Sequence, residues 1–211
     1  MLAAQGNVLV QNQLLERVSD ARRRSDAIFS LVRADSIYER PIPERHRIIF
    51  YLGHLEAFDW NLLHERVFGL KSFHPEFDRL FSFGIDPVGG GLPSDQPSDW
   101  PSAEEVRRFG AQVRSILDDK LSSLPPDVTM GSGVSLETLL NVSIEHRLMH
   151  VETLAYMLHQ LPVERKVPLL SSPRFETGPV HHRMVEIPSG VTTLGLSRED
   201  ESFGWDNEYS A

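Results

Sequence analysis

His146 and His150 lie four residues apart inside a run, Ser135 to Leu161, that contains neither proline nor glycine. In a helix, side chains at i and i+4 stand one above the other on the same face, so two imidazoles placed this way can bind a single metal ion. A third ligand would complete a facial triad. The best candidate is His54, in Gly53-His-Leu-Glu-Ala-Phe-Asp-Trp60. Neutral imidazole suits iron(II), zinc, nickel and copper, and three such ligands leave positions open for water, oxygen or substrate.

The pair alone is a weak signal, since nine histidines in 211 residues give about 0.4 such pairs by chance. Its position strengthens it. Both rings flank the apolar stripe of a predicted helix, and His54 is mid-helix with Phe50 and Phe58 one turn to either side. All three rings are therefore expected to point inward, where an unpartnered ring would cost a few kcal/mol. Glu145 and Glu152 could orient the rings from outside the ligand set, and Glu56 and Asp59 could do so near His54; surface carboxylates are the plainer reading of all four. His64, His74, His159, His181 and His182 read as exposed or linker-borne rather than as ligands.

The elements that must position these residues are legible as four amphipathic helices. The first is expected from about Val10 to Ala34, with Leu14, Val18, Ala21, Ser25, Ile28 and Val32 forming one stripe. The second is expected to begin near Pro43-Glu44 and to stop before Gly69. Residues 70–100 read as a long irregular loop with Gly89-Gly-Gly91 and several prolines; no Gly-Lys-Ser/Thr follows, so it is not a phosphate loop. Ser102 and Glu105 form a capping box for the third helix. Ser135 caps the fourth, which Pro162 ends. Four such helices predict an all-α antiparallel bundle over residues 1–162. Residues 163–183 read as a linker, and 184–211 as a short irregular or β-like extension with a hairpin signal around Pro188-Ser-Gly190.

Composition narrows the partners. The net charge is −9, which argues against nucleic acid or an anionic membrane as the main partner; Arg22-Arg-Arg24 reads as a solvated helix face. Cysteine is absent, so thiolate ligands, disulfides and a cysteine nucleophile are excluded. With no signal peptide and no apolar run of spanning length, cytoplasm is the default expectation.

Taken together, Gly53-His54-Leu-Glu-Ala-Phe58-Asp-Trp60 and His146-Arg-Leu-Met-His150-Val-Glu152 resemble the DinB-like domain of EgtB-type sulfoxide synthases of ergothioneine biosynthesis. The tail, Val185-Glu-Ile-Pro-Ser-Gly190 through Phe203-Gly-Trp-Asp-Asn-Glu208, is similar to the opening of the formylglycine-generating-enzyme-like domain that follows the bundle there. The resemblance implies a four-helix bundle holding non-haem iron through His54, His146 and His150. The family reaction is oxygen-dependent C–S bond formation between a trimethylated histidine and a small-molecule thiol. It also implies that this chain, ending at Ala211, carries only the start of the second domain, so turnover is expected to be impaired. Other readings remain: a DinB-like thiol transferase or hydrolase using zinc or nickel, or a non-enzymatic metal-binding or interaction module. A homodimer is expected from the unpaired edges of a truncated hairpin.

Overall fold

The computed structural model describes residues 2–85, 91–124, 134–168, 178, 181–199 and 203–209, with side chains from residue 12 onward. The chain divides into two compact units, residues 1–168 and 169–211. The first unit contains α1 (Leu2–Ser30), α2 (Ile48–Leu63), α3 (Pro75–Phe83), α4 (Ala103–Ser122) and α5 (Leu136–Gln160). Four of these are long and build the expected bundle. α1 packs on α5, and α2 packs on α3, α4 and α5. Their stripes meet in one core that includes Val18, Ile48, Leu55, Trp60, Val113, Leu117, Ile144 and Met157. Among the described residues no helix is long and apolar enough to cross a membrane.

The caps behave as read. The Ser102 hydroxyl accepts from the Glu105 amide, and the Glu105 carboxylate accepts in return from the Ser102 amide. The Ser135 hydroxyl accepts from the Thr138 amide at 3.0 Å. Other boundaries differ from expectation, for physical reasons. α1 ends at Ser30 rather than Ala34, because the amides of Leu31 and Val32 turn back to the carbonyls of Ile28 and Phe29. Val32 then forms an antiparallel bridge to Lys166. α2 begins at Ile48 rather than Pro43. Pro43 sits in a turn closed by the Arg45 amide on the Ile42 carbonyl, and Arg47 is extended at the helix entrance. Arg47 is held there by Asp95, to which its Nε donates at 2.9 Å.

Residues 70–100 are not wholly irregular, since they contain α3. Pro75, counted as a breaker, occupies the first turn of that helix, where its missing N–H costs nothing. The ring of His74 accepts from the Phe77 amide as the cap, and Gly84 ends the helix at φ +72. The glycine run at 89–91 lies largely outside the described residues, as do Pro125-Pro126 and Gly131-Ser-Gly133.

In the second unit the expected hairpin does not form among the described residues. Residues 181–194 carry no strand, and Ile187 and Val191 are 87% and 103% exposed. An isolated two-stranded ribbon is marginal in water, and Pro188 removes a ladder donor. What remains is a parallel bridge between Leu196 and Tyr209.

Candidate metal centre

His54 from α2 and His146 and His150 from α5 meet within the bundle. Nε2 of His54 lies 3.2 Å from Nε2 of His146 and 3.2 Å from Nε2 of His150. The three can offer ligand atoms all within 4.8 Å of one another. Mid-helix placement explains this: the two α5 rings come from successive turns, and α2 presents His54 across the α2–α5 interface. Aromatic neighbours wall the rings. Phe58 stacks on His146 at 3.5 Å between centroids and 10° between planes; Phe50 stacks on His54 at 4.7 Å; the Tyr51 ring is 5.5 Å from that of His150.

The protonation states suit a ligand set. Burial, reinforced by the facing His150 and His54, pushes His146 down to about 2. Burial, with His54 and Arg45, pushes His150 down to about 4. Burial lowers His54 as well, against an opposing bond to the Phe81 carbonyl. All three are neutral near pH 7, as metal binding requires. Nδ1 of His54 donates to the Phe81 carbonyl at 2.6 Å, so its Nε2 carries a lone pair aimed at the other two rings. Nitrogens 3.2 Å apart are close enough to share one ion at metal–nitrogen bonds of about 2.1 Å. A cation between the three nitrogens would satisfy all of them at once, and the donor set therefore fits a divalent transition metal.

The four carboxylates considered from sequence divide. Glu145 pairs with Arg17 at 3.5 Å on the surface, and Glu152 is exposed. Glu56 and Asp59, 5% and 1% exposed, are buried but turn to Arg147 rather than to a histidine. The Arg147 guanidinium, adjacent in sequence to His146, donates to Glu56 at 3.0 Å, to Asp59 at 2.7 Å, to the Leu55 carbonyl at 3.0 Å and to the Ser25 hydroxyl at 3.1 Å. Arg114 on α4 also donates to Glu56 at 2.7 Å and to Asp26 on α1 at 2.8 Å. One polar network therefore joins four helices beside the three rings. Sequence reasoning missed Arg147. The available signal was a cation between two inward histidines, with carboxylates three apart on the partner helix. Of the remaining histidines considered, His159, His181 and His182 are exposed, whereas His64 and His74 are half-buried and used locally.

Comparison with known proteins bears directly on this geometry. Residues 17–154 match the model of the DinB superfamily. The chain belongs to that family. It is also 29% identical, over 192 aligned positions, to "Ergothioneine biosynthesis protein 1" of Neurospora crassa, covering 82% of this chain and 22% of that protein. A protein of the same name from Schizosaccharomyces pombe is 26% identical, covering 84% of this chain and 27% of its own length. The chain thus spans about a quarter of the length of the relatives it matches. The matched family region contains His54, His146 and His150, so the ring cluster falls within the DinB-superfamily bundle.

Proposed function

We propose that His54, His146 and His150 bind one metal ion, iron(II) before zinc or nickel, and that the bundle is the metal-binding part of a sulfoxide synthase of the ergothioneine type. The observation that carries this reading is the convergence of three neutral imidazole nitrogens, one with its tautomer set by the Phe81 carbonyl. The names of the two fungal relatives support a place in ergothioneine biosynthesis, and the motif resemblance supplies the reaction class. Iron(II), when bound, would supply the oxygen chemistry that no side chain of this protein provides. The protein's own groups have simpler tasks. Burial keeps the rings uncharged, Phe50 and Phe58 exclude water from two of them, and the Arg147 network holds α2 and α5 in register. The proposed substrates are a small-molecule thiol and a histidine-derived betaine.

Elemental analysis of tag-free protein, beside a His146→Ala/His150→Ala variant, tests the reading. About one equivalent of metal per chain, lost in the variant, is expected, and iron would lead to an oxygen-dependent thiol assay. Zinc or nickel with no oxygen reactivity would redirect the assignment to a DinB-like thiol transferase or hydrolase. Metal-supplemented wild type that holds no metal would sink the reading.

A further inference from the structure

α3 contributes no histidine to the cluster, yet its last turn touches the cluster by two routes. The first runs through Gly53. A methyl group on Gly53 would overlap three atoms of the Phe81 ring, which is 0% exposed. Glycine at 53 therefore lets the end of α3 lie directly against α2, one residue before His54. Carbonyls in the last turn of a helix have no intrahelical donor. The Leu80 carbonyl takes the Gly84 amide at 2.7 Å, and the Phe81 carbonyl takes His54 Nδ1–H at 2.6 Å. The second route runs through Gly84, where a side chain would strike the His46 ring. The His46 ring lies tilted against Phe50, 4.2 Å between centroids, and Phe50 stacks on His54. The other two rings lack such a hydrogen bond: Nδ1 of His146 and Nδ1 of His150 are buried without a hydrogen-bond partner among the described residues.

We propose that α3 sets the tautomer of His54 and its strength as a metal ligand, and that Gly53 is the positioning residue that permits this. The inference rests on the metal site proposed above. A neutral imidazole carries one proton. Donation from Nδ1 to a helix-end carbonyl leaves Nε2 free to bind metal, and the negative end of the helix strengthens that nitrogen as a donor. If Phe81 is displaced, the proton is free to move to Nε2, where it blocks the site.

Gly53→Ala tests the proposal through two measurements. In metal-free protein, long-range proton–nitrogen correlation spectra report the His54 tautomer; wild type is expected to be Nδ1–H and the variant mixed or Nε2–H. Competition titration of zinc(II) or cobalt(II) against a chromophoric chelator is expected to show binding roughly 10–100-fold weaker in the variant, the range found when a partner of a ligating histidine is lost. Phe81→Ala added to Gly53→Ala removes all three overlapping atoms but keeps the carbonyl, and is expected to restore both properties. It also replaces the single variant if that one does not fold; an Nε2–H ring in the folded double variant overturns the proposal. So does a Gly53→Ala protein with wild-type tautomer and affinity. So too does an equal loss of affinity in Val113→Ala, a core change away from the cluster. Wild type with an Nδ1–H His54 that takes up neither metal would overturn the metal reading while leaving the hold of α3 on the tautomer in place.

Discussion

Arg147 is 2% exposed and forms ion pairs with two buried carboxylates, Glu56 and Asp59. Replacing it with Met is expected to destabilise the bundle by about 3–5 kcal/mol, because both carboxylates would lose a buried partner; chemical denaturation would measure it. Acid should act on the same region. His150 and His146 are depressed from 6.5 to about 4 and about 2, so the unfolded chain binds their protons first. Their contribution to stability is complete above pH 6.5 and is lost as pH falls from there toward 4 and then 2. Burial pushes Glu56 up, but Arg147 and Arg114 outweigh it and hold the group at about 2. Its contribution is therefore present above pH 4.5 and lost on the way down to 2. Denaturation midpoints of metal-free protein are expected to fall steadily below pH 6.5, and flat midpoints between pH 6.5 and 4 would refute the histidine part. At this scale the His146–His150 pair was legible because helical spacing alone aligns it. Arg147 was not, because a charged residue in a sequence reads as surface unless its partners are known, and those lie about ninety positions away.

The elements are held together by a few strong ties, and their legibility follows from what makes each of them. α4 and α5 were readable from Ser102 and Ser135, whose caps are local chemistry. α3 was not, because a nine-residue helix opening on proline and capped by histidine offers too short a period to stand out among breakers. The entrance to α2 was misplaced because it is set by a distant residue, Asp95. This carboxylate accepts from Arg40, from Arg47 at 2.9 Å and from Trp100 Nε1 at 2.7 Å, tying residues 91–100 to the start of α2. Asp95→Ala is expected to cost about 3 kcal/mol, since it strands two half-buried guanidinium groups and an indole N–H. Ser102→Ala, which removes only a helix cap, is expected to cost about 1 kcal/mol. Thermal melts of the two variants side by side would check both the values and their order.

On the scale of the whole molecule, the second unit differs from the first in how little it buries. Met184, Val185, Ile187, Val191 and Leu194 are all between 66% and 103% exposed. Limited proteolysis is expected to cut within 181–199 while the helical unit survives; protection of that segment, together with a dimeric mass by light scattering, would instead support the homodimer expected from the sequence. The pairing of α1 with α5 has a consequence for synthesis. α1 is made well before the α5 it packs on, so its apolar stripe has no lasting partner until α5 leaves the ribosome. About a hundred residues separate the two helices, and at roughly 5–20 residues per second the nascent chain carries that stripe uncovered for several seconds or more. Chaperone engagement should therefore peak on ribosome-bound chains that end before Ser135 and drop once Leu161 has emerged.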